Sequence, residues 1–323
     1  MRKLKRKNKK NSKVEKILIS IISVLTVILI GVIALNINKG RTAEVSVNQN
    51  QKEDNNEIKS NINEEKSNEK ESDNEQENNN EQETDSVIYT SYENDINADN
   101  ARDIENMLNK WSYLREDGKK IAYLTFDDGP SVETTPKILE TLRKNNIKAT
   151  FFVLGSNVEK SDTQKELLKE MVKEGHAIGN HGYCHDYSIL YPGRVADTTV
   201  FINDMEKSEN VMKSVLGDSF STKVIRFPGG HMSWKTGDLD KVLEQDGYTY
   251  IDWNVLNGDA ESNGRTVEQL INRLKETVTD LAGNDDVLVI LMHDTDAKAT
   301  TAESLQQSID YLKSLGYEFR TLK

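Results

Sequence analysis

A single cysteine, Cys184, stands in a chain of 323 residues, so no intramolecular disulfide can close and no thiolate cluster can hold a metal. The fold must stand on its own core, which a domain of this size can build without cross-links, even in an exported protein. No internal repeat is visible, and beyond the N-terminus there is no basic stripe interleaved with aromatics. Residues 1–41 carry eleven Lys or Arg against Glu15 alone, a net +10, which leaves −22 for the remainder of a chain whose total is −12. Such an acidic body repels a phosphate backbone, which excludes nucleic acid as a partner.

Composition changes sharply along the chain. Residues 1–16 hold nine Lys or Arg and run straight into the uncharged stretch Ile17 to Leu35. As a helix, residues 17–35 span about 28 Å, close to the hydrocarbon thickness of a bilayer. A preceding Lys/Arg excess keeps that end in the cytoplasm and sends the downstream chain outside. A cleaved signal peptide has a shorter apolar region and a small-x-small cleavage site, and neither is found. The expectation is a single-pass anchor in the cell membrane, with its N-terminus cytoplasmic and everything after Leu35 extracellular. Residues 36–86 are Asn, Glu, Gln, Lys and Ser with almost nothing apolar, the composition of a disordered tether. Residues 87–117 regain apolar side chains, with Ile104, Met107, Leu108 and Trp111 at helical spacing, and read as a helical accessory segment.

Residues 118–323 form the main domain in this reading. Short β-branched or aromatic runs alternate there with longer amphipathic stretches, the pattern of βα units around a parallel sheet. The expected strands are 121–126, 149–154, 177–180, 224–227, 248–253, 287–292 and 318–322, with helices at about 135–145, 164–174, 200–216, 235–245, 267–281 and 302–315. Seven strands with six helices between them imply a barrel or an open α/β sheet.

On that scaffold the polar residues gather at one edge. Asp127 and Asp128 follow the first strand, His181 and His185 the third, Arg226 the fourth; Asp259 lies beyond the fifth and His293 after the sixth. Parallel α/β folds bind ligands and assemble catalysis at the C-terminal ends of strands. Adjacent carboxylates such as Asp127 and Asp128 repel one another unless a cation or base separates their roles. The pair His181 and His185, from only five histidines, can aim two imidazoles at one ion, and one carboxylate more completes a two-histidine, one-carboxylate set with open positions. Arg226-Phe-Pro-Gly-Gly230 couples a guanidinium to a turn whose N–H groups can approach a ligand. His293 closes an apolar strand with a side chain suited to proton transfer near neutral pH.

Together these residues resemble the polysaccharide deacetylases of carbohydrate esterase family 4, the NodB homology domain, over about 121–322. The resemblance implies a distorted (β/α) barrel of about seven parallel strands and a metal-dependent hydrolase that removes N-acetyl groups. Thr125-Phe-Asp-Asp-Gly129 is similar to the family's first motif, which implies Asp127 as catalytic base and Asp128 as metal ligand. His181 and His185 match the metal-binding histidines. Arg226 and Pro228 match a motif whose arginine holds the base and whose next N–H, here that of Gly229, faces the oxyanion. Asp259 resembles the aspartate that orients the acid, and Leu291-Met-His293 resembles the last motif, with His293 the acid. Three departures stand out: Gly182 where Ser or Thr is usual, Gly229 where Tyr is common, and Ala260 where Trp lines the acetyl pocket, a wall that Trp253 or Trp234 would have to replace. Zinc is the expected ion, with cobalt, nickel or manganese also compatible with N/O ligands. The expected partner is an extracellular polysaccharide, peptidoglycan first. Chitin oligomers, a secreted poly-N-acetylglucosamine, N-acetylmuramic acid, acetylated xylan and a catalytically dead glycan-binding role are the alternatives.

Overall fold

A computed structural model describes residues 89–323 except Asn284. The basic segment 1–16, the apolar run 17–35 and the tether 36–86 lie outside the described residues. Among the described residues no helix is long and apolar enough to cross a membrane.

After a short 3-10 turn (Tyr92–Asn94) come strand β1 (Ala98–Asp99) and helix α1 (Ala101–Asn109). Asn100 caps α1, its side chain accepting the Arg102 N–H at 2.9 Å, which satisfies one of the first-turn donors. Ala101, Ile104 and Leu108 share the buried face. Trp111 continues that spacing in the sequence but lies past the helix end, in the left-handed region at φ 51°, and is exposed. The chain reverses there, so the stripe ends a turn early.

Then come β2 (Ile121–Asp127), α2 (Thr135–Asn145), β3 (Thr150–Val153), α3 (Gly155–Val158), α4 (Asp162–Lys173), β4 (Ala177–Asn180), α5 (Tyr187–Leu190) and α6 (Thr198–Leu216). The second half runs β5 (Val224–Ile225), α7 (Asp238–Gln245), β6 (Thr249–Tyr250), β7 (Val255–Leu256), α8 (Val267–Glu276), β8 (Val287–His293), α9 (Ala299–Ser314), β9 (Glu318–Phe319) and β10 (Thr321–Leu322). Seven parallel strands lie in the order β6-β5-β4-β3-β2-β8-β7. Between the edge strands β6 and β7 the chain has only residues 251–254, a reach of at most about 18 Å. A flat seven-strand sheet is wider than that, so the sheet curls into an open half-barrel.

The sheet corrects two expectations. Its seventh member is Val255–Leu256, too short to carry a two-residue period, whereas the expected last strand, 318–322, divides. Glu318–Phe319 pairs with Ile121–Ala122, where β2 is free because β3 joins it only from Thr125 onward; Thr321–Leu322 pairs with β1.

Alternation sorts the strand residues into two cores. Ala122, Leu124 and Phe126 of β2, with Leu288, Ile290 and Met292 of β8, pack outward against the helices. Ile121, Tyr123, Val287 and Val289 point inward and meet Ala101, Ile104 and Leu108 of α1, so that helix plugs the N-terminal end of the barrel. Each such aliphatic side chain taken from water contributes about 1.5 to 3 kcal/mol. The inward register that holds Tyr123 continues to Thr125 and Asp127. In β8 it continues to His293, whose Cα partner across the ladder is Asp127.

Candidate active site

Asp127 ends β2 inside the barrel, 2% exposed. Its Oδ1 accepts from Arg226 Nη1 at 2.8 Å. Arg226, just past β5, is fully buried, and a guanidinium in such a place must be paired and hydrogen-bonded throughout. Thr125 Oγ1 accepts from the same nitrogen at 2.7 Å, the Ile251 carbonyl accepts from Nε at 2.7 Å, and the guanidinium carbon lies 4.2 Å from the Phe152 ring centroid. Thr125 gives its own proton to the Ile290 carbonyl at 2.6 Å, so its lone pairs face the arginine. The Asp127 carboxylate is thereby fixed through one oxygen, leaving Oδ2 toward the cleft, 3.8 Å from His181 Nε2.

Asp128 and His185 both adopt left-handed backbone, φ 73° and 49°, which non-glycine residues take up only at a cost the surrounding structure must offset. The outcome is convergence: one Asp128 oxygen lies 3.4 Å from the Nε2 of His181 and 3.4 Å from the Nε2 of His185, and a ligand atom from each of the three residues falls within 4.8 Å of the others. His181 Nδ1 donates to the Arg226 carbonyl at 2.8 Å, so its Nε2 presents a lone pair to the cleft. Asp128 Oδ1 is buried with no hydrogen-bond partner. A buried carboxylate oxygen facing two imidazole nitrogens without a hydrogen bond fits a divalent cation, and two nitrogens with one oxygen are ordinary ligands for one. The charges agree. Burial raises the Asp128 pKa, but the facing imidazoles outweigh it and hold the carboxyl well below its usual range. Burial lowers His181, and the carboxylates of Asp127 and Asp128 outweigh it; His185 is lowered by burial and by His181.

The histidine loop lacks a hydroxyl at Gly182, and the structure supplies another brace. Asp204 of α6 accepts the N–H groups of Tyr183 at 2.7 Å and Cys184 at 3.1 Å, while Asn180 accepts that of Gly182 at 2.9 Å. Gly182 sits at φ 83°, and a β-carbon there would lie 2.4 Å from Asp204 Oδ2, so the brace and the glycine require each other. Cys184 is outside the three-ligand group, its thiol pushed up to about 11 by burial.

His293 stands beside Asp127 at the end of β8. Asp259 lies at its back: Oδ1 is 2.8 Å from His293 Nδ1, and Oδ2 accepts the His293 main-chain N–H and the Thr301 hydroxyl, each at 2.8 Å. Lys298 donates to the Asp259 carbonyl at 2.6 Å. Burial pulls the imidazole pKa down, yet the Asp259 carboxylate, joined by those of Asp127 and Asp128, overrides it and lifts it to about 9. The ring therefore carries a proton at neutral pH, with Nδ1 engaged and Nε2 free to donate.

Pro228, Gly229, Trp253 and Leu291 occupy distinct places. Gly229 follows Pro228 at φ 80°, and its N–H has no acceptor among the described residues. Leu291 lies on the inner face of β8, two residues before His293. Trp253 packs with the inner core, 5.7 Å from the Arg226 guanidinium carbon and close enough to Gly230 that a β-carbon there would lie 2.7 Å from its ring. It backs the arginine. Trp234 instead borders Gly229, its Nε1 donating to the Pro228 carbonyl at 2.9 Å. Asp204, Lys298, Thr301 and Tyr187 support or border the site without having been singled out in the sequence, and Thr125 is named there only as the start of the Thr125-Phe-Asp-Asp-Gly129 motif. Only Thr125 gave a signal, being two residues before Asp127 on an alternating strand.

A proton acceptor and a proton donor on adjacent strand ends, flanking a place for a cation, define a hydrolase on an open (β/α) barrel. The sequence matches the polysaccharide deacetylase family over residues 115–251. A putative polysaccharide deacetylase of Bacillus subtilis is 33% identical over 207 residues, covering 64% of this chain and 68% of the relative. A peptidoglycan-N-acetylglucosamine deacetylase of Bacillus cereus is 32% identical over 214 residues, covering 66% and 73%. Among solved structures, a Streptococcus mutans CE4 esterase superposes with a TM-score of 0.64 at 39% identity, over 70% of this chain and 92% of that one. The chain belongs to the polysaccharide deacetylase family and is an enzyme of its hydrolase type.

Proposed function

We propose that this enzyme removes N-acetyl groups from N-acetylglucosamine residues of peptidoglycan, on the outer face of a membrane in which residues 17–35 anchor it. The observation that carries the chemistry is the ladder pairing of Asp127 with His293, each backed by its own counter-charge, Arg226 and Asp259. Asp127 Oδ2 accepts the proton of the attacking water while Arg226 and Thr125 keep the carboxylate aimed. The Gly229 N–H faces the oxygen of the acetamide carbonyl as it becomes tetrahedral. His293 Nε2 gives its proton to the departing nitrogen, the C–N bond breaks, and acetate and a free amine leave. A divalent cation held by Asp128, His181 and His185, zinc by its liking for such donors, supplies when bound a Lewis acid for the carbonyl and acidifies water. The location rests on the nine basic residues ahead of the apolar run, and the choice of peptidoglycan on the relatives' substrate.

The test is amine and acetate release by residues 86–323 from peptidoglycan, a β-1,4 N-acetylglucosamine tetramer and acetylated xylan, before and after exhaustive chelation and zinc addition. The expected result is amine release from peptidoglycan that chelation abolishes and zinc restores. Activity confined to xylan esters, or undiminished in metal-free protein, overturns the proposal.

A further inference from the structure

One large aromatic ring at the cleft has no role in the scheme above. Tyr187 begins the four-residue helix α5 two positions after His185, and Asp186 fixes that turn by accepting the Ser188 N–H at 2.8 Å. The Tyr187 ring lies 5.2 Å from the His185 ring and 5.1 Å from that of Trp234. Trp234 is itself immobilised, stacked on the buried Tyr191 with centroids 4.1 Å apart and planes 9° from parallel. Tyr187 is thus braced from behind and still 42% exposed. Its hydroxyl makes no hydrogen bond among the described residues. A β-carbon at Gly229 would come within 3.2 Å of the Tyr187 hydroxyl oxygen, so the phenol fills the space that a side chain beside the Gly229 N–H would take.

A ring held rigid, exposed on one side and carrying a free donor matches a ligand with an apolar face rimmed by hydroxyls, which is the form of a pyranose. We propose that Tyr187 is a specificity-determining residue, its ring stacking on the sugar that carries the acetamide and its hydroxyl bonding a substituent of that sugar. Tyr191 does the structural work one turn further on, where its ring is buried. The assignment rests on the deacetylase reading of the site, because only a substrate placed with its acetamide between Asp127 and His293 brings a sugar over Tyr187.

The experiment uses the full zinc-loaded chain and the β-1,4 N-acetylglucosamine tetramer. Its affinity is measured by isothermal titration and its turnover by amine release, beside a small aryl acetate that has no sugar ring. Covering about 60 Å² of ring corresponds to roughly a tenfold change in affinity. Tyr187→Ala, which loses the stack and the hydroxyl contact together, is expected to raise the tetramer Kd and KM about thirtyfold and to lower the tetramer-to-aryl-acetate ratio of kcat/KM by about the same factor. Tyr187→Phe keeps the stack and should recover all but about threefold of the loss. Equal losses on both substrates, or lost zinc content, show that the ring merely braces His185 and overturn the proposal, as does a tetramer affinity that Tyr187→Ala leaves unchanged. Tight binding that depends on Tyr187 without any amine release sinks the deacetylase reading instead and leaves the platform standing.

Discussion

Replacing Asp259 with Asn should move the alkaline limb of the pH–rate profile. His293 must be protonated to donate to the leaving amine, and three carboxylates face it: Asp259 in contact, Asp127 across the ladder, and Asp128 beyond. Together they take the imidazole from its ordinary 6.5 to about 9 against the pull of burial, a preference of about 3 kcal/mol for the charged ring. Asp259 is the largest of these favourable influences. Without its charge the largest raising influence is gone while burial remains, and the ring falls back toward its ordinary 6.5. In that limit the protonated fraction at pH 8 drops from about nine tenths to about three hundredths, a loss of about thirtyfold; at pH 7 it is about fourfold, and at pH 6 small. The signature is a defect that grows with pH. Profiles of kcat/KM for both proteins, loaded with the same metal, isolate the Asp259 contribution, because the cation and the other carboxylates act on both. Stability carries the same sign: a raised folded pKa stabilises fully below 6.5 and is lost as pH rises toward 9, so urea unfolding of the wild type, and not of Asp259→Asn, should weaken across that window. An alkaline limb that stays in place in the variant refutes the reasoning.

Asp127→Asn should retain zinc by isothermal titration while kcat falls by about 10² to 10⁴, whereas Asp128→Ala should weaken zinc binding itself; the reverse pattern would exchange their roles. Arg226→Leu strands the buried Asp127 carboxylate and should cost about 3 to 5 kcal/mol in thermal or urea unfolding, so a variant of wild-type stability would show that the pair matters less than its burial implies. Gly182→Ser places a β-carbon against Asp204 at positive φ, with an expected cost of about 1 to 3 kcal/mol and weaker zinc binding; unchanged affinity would mean the loop tolerates the shift. Protease added to intact protoplasts should degrade the catalytic domain and leave a membrane-bound N-terminal fragment, and full protection of that domain would overturn the proposed orientation.

The strand ends were legible because alternation and chemistry meet in a few consecutive residues. Ile121 to Asp127 reads as an apolar strand closing on a carboxylate, and Val287 to His293 closes in the same way on an imidazole. The histidine pair and the Arg-Phe-Pro-Gly-Gly turn are each ambiguous alone and gain meaning from standing at neighbouring strand ends and from their resemblance to the family's motifs. That these segments share one edge is a consequence of parallel βα succession, a property of the one-dimensional pattern. Their mutual register is not. Asp127 faces His293 because β8 pairs directly with β2, although they are sixth and first among the expected strands, and their adjacency is set by the strand order of the folded sheet, in which β8 lies between β2 and β7.

The supports were illegible for a related reason. Asp204 braces the histidine loop from twenty residues away, and Thr301 holds Asp259 across forty-two, through side chains with no local pattern. Val255–Leu256 is too short for any period to declare it, and it joins the sheet only because residues 251–254 carry the chain across the seam of the curl. Tyr187 has no local pattern to mark it, and its place is set by contact with Trp234 and Gly229 from distant segments. Order along the chain was enough to say which chemical groups stand at strand ends, since that depends on near neighbours in sequence. Which groups touch, and which oxygen or nitrogen each leaves free, belongs to the folded molecule, because those contacts exist only once the curled sheet has brought distant segments together.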